Sequence, residues 1–384
     1  MVAMSGGVDS SVAAAMLVEA GHEVVGVTLK LWGGPSDSGC CSVSDVDDAR
    51  RVAHAVGIDH HVFNYTEEFE ASVVAPFVAD YAQGLTPNPC LECNRVIKFD
   101  LLFERARRLG FDAVATGHHA QVVTVDGQPR LQRSVDQRKD QSYVLGYLTA
   151  DALAMLLLPL GHMTKDEVRA EAERLGLRTW NKPDSQDVCF IEASAGREAF
   201  LGQRIQLTPA RVRDRVTGRD MGNLSAAQLV TVGQRRGLAT GIDGERRFVA
   251  SVDVTTGVVE VDRLDAIMVN EIRLVPDTLT FPYEELMDGE EVVTQWSAHG
   301  VAAPLRFDAQ RHALGVGAAR DLVLGTVPDR TVVAGADLDG QGLQHVLAEG
   351  VLVGQTDRVD AVEAGRAQLA GRLLGRGDDA LWPP

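Results

Sequence analysis

Short apolar segments alternate with amphipathic segments along the first half of the chain. The segments EVVGVTLKL and HHVFNY have the composition of buried strands, and Val12, Met16 and Leu17 recur at helical spacing before the first of them. Gly21 and Gly57 are typical residues for the ends of two helices. Repeated alternation of strand and helix predicts an α/β fold whose parallel sheet is covered on both faces.

Further patterns predict individual elements. An alternating segment around Asp126 and Gly127 predicts a hairpin, and Thr164 with Glu167 predicts a capping box for a helix that ends before Gly176. After about residue 205, VTVGQRRGL, RFVASVDVTTGVVEV and EIRLVP predict strands, so one or two small β domains should follow. Two helical stripes are also expected: Phe69, Val73, Phe77 and Tyr81, then Phe99, Leu102, Phe103, Ala106 and Leu109.

Charge and composition exclude some classes of protein. The 384 residues carry a net charge of −17, which argues against binding of nucleic acid by the overall charge of the protein. Local basic groups such as Arg235 and Arg236 could still contact it. The sequence has neither a run of about 18 apolar residues nor a secretory leader. We therefore expect a cytoplasmic protein with no membrane association, whose five cysteines are kept reduced.

The segment SGGVDSS follows the first apolar run and precedes the first helix. Glycines allow a tight turn and close approach of the backbone to a ligand, and amides at a helix N-terminus attract phosphate. The segment lacks the GK[ST] ending of a Walker loop and is not GxGxxG. It is a candidate phosphate-binding loop, and a simple tight turn is the alternative.

The cysteines allow several interpretations. Cys90 and Cys93 form a C-x-x-C in TPNPCLECN, predicted to be a loop stiffened by prolines, and Cys189 lies far along the chain in DSQDVCFIE. A closed zinc site would need four ligands, and the chain has a single C-x-x-C. Buried inert thiols are a second alternative. The third is a sulfur-handling couple, in which Cys189 carries a persulfide and a second thiol releases its outer sulfur. Cys40 and Cys41 have no assigned role.

Two resemblances bring these features together. S-G-G-x-D-S resembles the pyrophosphate-binding loop of the ATP pyrophosphatases, which activate a substrate oxygen as its adenylate. The chain also resembles the tRNA-specific 2-thiouridylases, which replace the 2-oxygen of the wobble uridine by sulfur. That resemblance is carried across roughly the first 240 residues by AMSGGVDS, TPNPCLECN followed by IKF, ATGHH, KDQSYVL, DSQDVCFI and VGQRRGL, in this order.

The family resemblance implies roles for individual residues. Cys189 would carry the persulfide, and Cys93 would complete transfer through a transient disulfide. Nucleotide binding is implied for Ala3, Met4, Ser5, Gly6, Gly7, Val8, Asp9, Ser10, Leu29 and Gly117. Contact with tRNA is implied for Asn88, Pro89, Cys90, His118, Lys139, Asp140, Gln141 and Arg320. For Lys139, Asp140 and Gln141, a helix N-terminus capped by Asp140 is the alternative.

The resemblance also implies domains, cofactors and partners. The expected domains are an ATP pyrophosphatase domain at 1–200, a central β-rich domain at 201–265, a β-barrel-like tRNA-contacting domain at 266–335 and an atypical tail at 336–384. ATP and Mg²⁺ are the expected cofactors. The expected partners are tRNA and a sulfur-donor protein, such as a cysteine desulfurase or a relay protein.

The chain departs from the family pattern at several positions. Cys90 stands where many members have aspartate, so Cys90, Cys93 and Cys189 could instead hold an iron-sulfur cluster. Ser297 stands where an arginine is usual, and Ala319 and Arg320 replace a Gly-Gln pair. Two other functions therefore stay open: an ATP pyrophosphatase with an amine nucleophile, and a tRNA-binding protein without catalytic activity.

Overall fold

The computed structural model describes residues 1–32, 43–184, 188–191 and 196–269, together with short stretches further on. Those stretches are 271–273, 288, 291–295, 303–308, 310, 313–315, 322–323 and 352–355. The chain forms two compact units. The first contains Met1–Phe69 and Arg95–Phe190, and the second contains Glu70–Asn94 and Ile191–Gln355.

The secondary structure of the described residues is as follows. The strands are β1 Val2–Ala3, β2 Val25–Lys30, β3 Asp59–Asn64, β4 Val114–Ala115, β5 Ala120–Val125, β6 Gln128–Arg133, β7 Leu156–Leu157, β8 Ala210–Asp214, β9 Asp220–Leu224, β10 Phe248–Asp253, β11 Val258–Asp262, β12 Met268–Val269, β13 Glu271–Arg273, β14 Glu291–Gln295, β15 Ala303–Asp308, β16 Ala313–Gly315, β17 Leu322–Val323 and β18 Leu352–Gln355. The α-helices are α1 Val8–Glu19, α2 Val43–Val56, α3 Thr66–Phe69, α4 Ala75–Ala82, α5 Pro89–Glu92, α6 Leu102–Arg108, α7 Ala150–Met155, α8 Lys165–Arg174 and α9 Gly196–Gly202. Glu70–Val74 and Cys93–Leu101 are π-helical, and Ser142–Leu145, Ala227–Leu229 and Leu264–Ile267 are 3-10 turns.

The first unit is built on a five-stranded parallel sheet with the order β3-β2-β1-β4-β7. Val2 of β1 lies opposite Gly26 of β2 on one side and Ala115 of β4 on the other. The predicted α/β fold with a parallel sheet is confirmed. The chain runs outward from β1 to β2 and β3, then returns to β4 on the other side of β1. Ligands of such sheets bind at this switch in strand order, beyond the carboxyl ends of the strands.

Helix α1 is buried almost all round, because its middle consists of Val12 and three alanines that let neighbouring elements approach closely. Ala49 of α2 and Val168 of α8 belong to the same core cluster. The predicted capping box is present: the Glu167 amide donates to the Thr164 hydroxyl, and the Glu167 carboxylate accepts from the Thr164 amide. These contacts define the first turn of α8.

The two predicted helical stripes differ in outcome. Phe69, Val73, Phe77 and Tyr81 are all buried, and the π-helical turn before α4 lets the helical run pass Pro76, whose missing N–H would break a regular helix. In the second stripe, the predicted core position of Leu109 is wrong. Leu109 follows the end of α6 and its side chain is 58% exposed.

The predicted hairpin is confirmed by the β5 and β6 pair. Asp126 and Gly127 both have positive φ, at 50° and 77°, as a two-residue type I′ turn requires. No helix among the described residues has both the length and the apolar character to cross a membrane.

The second unit contains a four-stranded sheet of order β10-β11-β8-β9, with β8 and β11 parallel. Arg247 is fully buried beside this sheet and makes two hydrogen bonds to Asp214, at 2.9 and 3.1 Å. Further strands form the pair β12–β17 and a sheet of order β13-β16-β15-β14-β18. Strand β18 lies within the segment 336–384, to which the sequence assigned no chemistry.

The strand predicted for VTVGQRRGL is wrong. Gly233 and Gly237 have φ of 85° and 84°, which interrupts an extended backbone. The Gln234 side chain accepts from the Thr231 amide and donates to the Arg236 carbonyl, so it satisfies backbone groups that a strand would pair. The strands of RFVASVDVTTGVVEV are confirmed as the β10–β11 hairpin.

Candidate active site

The SGGVDSS segment forms the connection between β1 and α1, at the switch in strand order. Gly6 has φ of +73°, and a Cβ there would lie 2.2 Å from the Asp45 carbonyl oxygen of α2. Gly7 is the N-cap of α1. Glycine is therefore needed at position 6 both for the backbone conformation and for the close contact with α2.

Serine hydroxyls fix the shape of this loop. The Ser10 hydroxyl accepts from the Ser5 amide at 3.1 Å, and the Ser11 hydroxyl donates to the Gly7 carbonyl at 2.7 Å. The amides of the first turn of any helix lack intrahelical acceptors, and the helix dipole adds partial positive charge there. A loop held in this way directs backbone donors to the space where phosphate oxygens would bind.

Gly117 follows β4 and lies against the start of α1. A Cβ on Gly117 would be 2.6 Å from the Ser10 amide nitrogen and 2.8 Å from the Asp9 carbonyl carbon. The structure thus brings Gly117 together with the loop, although more than a hundred residues separate them in sequence. Leu29 lies on β2, the strand beside β1, and is buried.

A network of charged side chains adjoins the loop. Lys165 Nζ, from the start of α8, contacts both carboxylate oxygens of Asp9 at 2.6 and 2.7 Å and Asp184 Oδ1 at 2.9 Å. Asp184 also accepts from Lys139 at 2.6 Å and from Arg169 at 2.9 Å. His119 Nε2 lies 3.2 Å from Asp9 Oδ1. Sequence reasoning assigned no role to Lys165, Asp184 or Arg169.

Both carboxylates of the network stay ionised. Burial alone would raise the pKa of Asp9, but the hydrogen bond from His119 and the charge and hydrogen bond of Lys165 outweigh it and lower that pKa. Burial would also raise the pKa of Asp184, but hydrogen bonds from Lys139 and Lys165 outweigh it and lower that pKa to about 2. The network therefore presents fixed, alternating charges beside the candidate phosphate-binding loop.

A second lysine, Lys182, also contacts the loop. Lys182 Nζ donates to the Gly6 carbonyl at 3.0 Å and to Asp45 and Asp48 of α2 at 2.7 and 2.8 Å. Burial opposes the charged ammonium, but the two carboxylates prevail and raise the pKa of Lys182. Lys182 was also missed, since its partners lie more than 130 residues away in sequence.

The C-x-x-C segment is helical, so the predicted loop is wrong. Asn88 caps α5 by accepting from the Cys90 amide at 3.1 Å, and Pro89 takes the first helical turn, where its missing N–H costs nothing. Cys90 is exposed, whereas Cys93, at the start of the following π-helical run, is buried. Both belong to the second unit.

Cys189 belongs to the first unit and is partly exposed. The next residue, Phe190, is buried, with ring centroids 6.0 Å from Trp32 and 5.7 Å from Phe69. These aromatic contacts fix the backbone beside the Cys189 thiol. Cys40, Cys41, Ser297, Ala319 and Arg320 lie outside the described residues.

Comparison with known proteins decides the family. Residues 1–193 match the family described as tRNA methyl transferase HUP domain. A tRNA-specific 2-thiouridylase MnmA from Saccharopolyspora erythraea is 43% identical over 87% of this chain and 93% of its own length. The chain belongs to the tRNA-specific 2-thiouridylase family. A family member from Mycolicibacterium smegmatis is 48% identical over 71% of this chain and 77% of its own length.

Solved structures give only a distant likeness. The U34-tRNA thiolase NcsA from Methanococcus maripaludis, solved with its 4Fe-4S cluster, is 20% identical, with a TM-score of 0.33 over 49% of this chain and 60% of that chain. An NMN synthetase from Francisella tularensis gives a TM-score of 0.30 at 19% identity, over 48% of this chain and 65% of that chain. Scores this low carry no information about chemistry.

Several residues predicted to contact tRNA lie beside the charge network of this 2-thiouridylase-family chain. Lys139 binds Asp184, and the Asp140 carboxylate accepts from the amides of Ser134 and Ser142. Gln141 and His119 exchange two hydrogen bonds, at 2.8 and 2.9 Å. Asp140 thus stabilises the backbone at the start of the 3-10 turn Ser142–Leu145. This resembles the alternative of a helix N-terminus capped by Asp140, although the N-cap residue is Gln141.

His118 is buried in this structure, with Nδ1 2.8 Å from the Thr116 hydroxyl and its ring beside Phe99. Burial, aided by electrostatic interaction with Lys98 and His119, holds the pKa of His118 well below its usual value of 6.5. Below about pH 6.5 the unfolded chain therefore binds a proton that the folded chain excludes, and stability falls with decreasing pH.

We expect His118→Asn to remove this contribution, which has a slope of up to about 1.4 kcal/mol per pH unit. The difference between the free energies of unfolding in urea at pH 7.5 and at pH 5.5 measures this contribution. His22→Asn, at an exposed position, is the control and should keep the wild-type pH dependence. An unchanged pH dependence in His118→Asn would show that the buried imidazole is not responsible.

Proposed function

We propose that this chain is an ATP-dependent tRNA-uridine 2-sulfurtransferase, which forms 2-thiouridine at the wobble position. The observation that carries the proposal is the SGGVDSS loop at the carboxyl end of β1, braced by Gly117, Lys165 and Lys182, in a chain of the 2-thiouridylase family. Such a loop suits a reaction in which pyrophosphate must be bound and then released.

The first step would adenylate the substrate. A uracil oxygen is a poor leaving group, so the 2-oxygen attacks the α-phosphorus of ATP, which enters as its magnesium complex, and pyrophosphate departs. Residues 3–10, Leu29 and Gly117 would surround the nucleotide. The amides at the start of α1 would stabilise the charge that develops on pyrophosphate.

The second step would transfer sulfur. The outer sulfur of a Cys189 persulfide attacks C2 of the activated ring, a C–S bond forms, and the C2–O bond breaks as AMP leaves. The Cys93 thiolate then attacks the inner sulfur, which releases the thiolated base and leaves a Cys93–Cys189 disulfide. A thiol reductant would restore the two thiols, and a sulfur-donor protein would recharge Cys189.

Recognition of tRNA would rest on local contacts, because the chain as a whole is acidic. Asn88, Pro89 and Cys90, at the start of α5, would lie against the target base, which must leave its stack to react. His118, Lys139, Asp140, Gln141 and Arg320 would contact the rest of the tRNA. Because the His118 side chain is buried in this structure, contact with tRNA would require it to become accessible in the complex with tRNA.

The domain assignment is part of the same proposal. Residues 1–200 would form the catalytic domain, 201–265 the central β-rich domain and 266–335 a β-barrel-like tRNA-contacting domain, with 336–384 as a tail of unassigned role. The reducing conditions that the thiols require suit the cytoplasm.

A second route to the same product would use an iron-sulfur cluster. Cys90 and Cys93 lie three residues apart at the start of one helical run, where the helix N-terminus favours the thiolate form that a cluster requires. Among the described residues no three cysteine, histidine or carboxylate side chains are grouped so that they could hold a metal ion, so this route would need Cys189 to approach Cys90 and Cys93. The three thiolates would then hold a cluster that supplies inorganic sulfide in place of the persulfide. Iron analysis and an absorption spectrum after anaerobic purification, for the wild type and Cys90→Ser, separate the two routes.

Formation of 2-thiouridine tests the proposed function. Purified protein is incubated with unmodified tRNA, ATP, Mg²⁺ and a sulfur donor, and the nucleosides are analysed by mass spectrometry. We expect 2-thiouridine that depends on ATP. Pyrophosphate release without thiouridine would favour an amine-using ATP pyrophosphatase, and the absence of both would favour a tRNA-binding protein without catalytic activity.

A further inference from the structure

The two cysteines of the C-x-x-C segment lie one helical turn apart, and a backbone hydrogen bond joins them. The Cys93 amide donates to the Cys90 carbonyl, three residues back, as well as to the Pro89 carbonyl, four residues back. The Leu91 amide likewise donates to the Asn88 carbonyl, three residues back, at 3.1 Å. Hydrogen bonds over three residues bring the side chains at i and i+3 into line along the turn.

This turn suits a bond between the two sulfurs. Cα atoms three residues apart in a helical turn lie roughly 5–6 Å apart, within the roughly 4.4–6.8 Å that a disulfide spans. The backbone of the turn is also held in place, because the Asn88 side chain accepts from the Cys90 amide and Leu91 is buried. Cys90 and Cys93 can therefore form a disulfide without rearrangement of the chain.

The two thiols differ in their access to solvent. The Cys93 side chain is 8% exposed, whereas Cys90 is exposed. In the proposed reaction the final step leaves Cys93 joined to Cys189, which is itself only partly exposed. A reducing protein must attack a sulfur that it can reach, so the buried position of Cys93 slows direct reduction of that disulfide.

We propose that Cys90 is a resolving cysteine that returns the spent enzyme to its active form. The Cys90 thiolate attacks Cys93 Sγ, the Cys90–Cys93 bond forms as the Cys93–Cys189 bond breaks, and Cys189 leaves as a thiolate that takes up a proton. A thioredoxin-type dithiol protein then attacks the exposed Cys90 sulfur, is itself oxidised to a disulfide by two electrons, and restores both thiols.

The inference rests on the proposed function in its persulfide form, and it gives Cys90 a role after the base has reacted. While the target base is bound, Cys90 would lie against it. Once the thiolated base leaves, Cys90 is one turn from Cys93 and acts at an effective concentration of roughly millimolar order. Cys189 is then free to receive the next sulfur before a reductant arrives.

Peptide mapping after one turnover shows which cysteines are joined. Protein carrying a Cys189 persulfide is freed of reductant, mixed with unmodified tRNA, ATP and Mg²⁺, quenched in acid, alkylated and digested with trypsin without reduction. Cys90 and Cys93 share the tryptic peptide 52–95, and Cys189 is the only cysteine of the peptide 179–197. In the wild type we expect peptide 52–95 to contain an internal disulfide and Cys189 to be alkylated.

Variants assign the exchange to Cys90. In Cys90→Ser, peptides 52–95 and 179–197 should be cross-linked through Cys93 and Cys189. The amount is expressed per 2-thiouridine formed, which corrects for any loss of contact with the base. Cys40→Ser and Cys41→Ser are the matched controls, because each removes a thiol that lies in another tryptic peptide, 31–50. Both should give the wild-type map.

Turnover with two reductants is a second readout. Dithiothreitol is small enough to reach a poorly exposed disulfide, whereas a thioredoxin-type protein needs an exposed sulfur. The rate with about 0.1 mM of the protein, divided by the rate with about 10 mM dithiothreitol, should be about tenfold lower in Cys90→Ser than in the wild type. The ratio cancels any effect of the substitution on thiolation itself.

The inference is overturned if, after 2-thiouridine has formed, the wild type holds the Cys93–Cys189 cross-link to the same extent as Cys90→Ser. It is also overturned if the wild type forms no disulfide within peptide 52–95. Absence of 2-thiouridine in the wild type rejects the proposed function itself. Should circular dichroism show that Cys90→Ser is unfolded, the wild-type map alone decides the question.

Discussion

Replacing Cys189 by serine is expected to reduce 2-thiouridine formation by about a thousandfold or more, the scale seen when an enzyme loses its nucleophile. A hydroxyl cannot carry a transferable sulfur, so the adenylated base would have no sulfur donor at that position. In the proposed mechanism adenylation uses the candidate phosphate-binding loop and not the thiol, so exchange of pyrophosphate into ATP should stay within about threefold of the wild-type rate.

Two comparisons sharpen this result. Cys93→Ser should stop one step later, with the tRNA base covalently joined to Cys189, and the adduct is detectable by mass spectrometry. Cys90→Ser should retain activity if the persulfide carries the sulfur, and lose it if a cluster does. Wild-type rates of thiouridine formation by Cys189→Ser would contradict the assigned role of Cys189.

Replacing Gly6 by alanine should reduce pyrophosphate exchange at low ATP by at least about thirtyfold. The added methyl would meet the Asp45 carbonyl oxygen at 2.2 Å, and the φ of +73° is unfavourable for any residue with a Cβ. The left-handed conformation costs roughly 1–2 kcal/mol and the steric overlap roughly 1–3 kcal/mol. Backbone atoms on both sides of the overlap leave no flexible side chain to move away.

Gly57→Ala is the matched control for this substitution. Gly57 has nearly the same φ, +77°, but a Cβ there would have no atom within 4 Å beyond its chain neighbours. We expect Gly57→Ala to lower stability by about 1–2 kcal/mol, with normal pyrophosphate exchange. Equal loss of exchange in the two variants would show that global strain, and not the contact between the loop and α2, is responsible.

The sequence predicted those structural elements that are determined by residues close together in the chain. The type I′ turn needs only Asp126 and Gly127, and the capping box needs only Thr164 and Glu167, so each lies within a few residues of sequence. The helical start of the C-x-x-C segment also had a local signal, Asn88 followed by Pro89, which was interpreted as a stiff loop. Leu109 fitted the apolar spacing, but the helix ends before it.

The charge network could not be predicted in this way. Lys165 and Asp9 are 156 residues apart, and Lys182 and Gly6 are 176 apart. Nothing in the immediate sequence of either lysine distinguishes it from a surface lysine. Only the folded core, in which α8 packs with α1, brings these charges to the candidate phosphate-binding loop.

The central claim is that ATP activates the 2-oxygen of the target uridine, and an oxygen label tests it most directly. A tRNA whose wobble uridine carries oxygen-18 at the 2-position is thiolated by the purified protein with unlabelled ATP, and the AMP is analysed by mass spectrometry. We predict that the label appears in AMP in amounts equal to the 2-thiouridine formed. Label found in water or in pyrophosphate, with unlabelled AMP, would contradict the account.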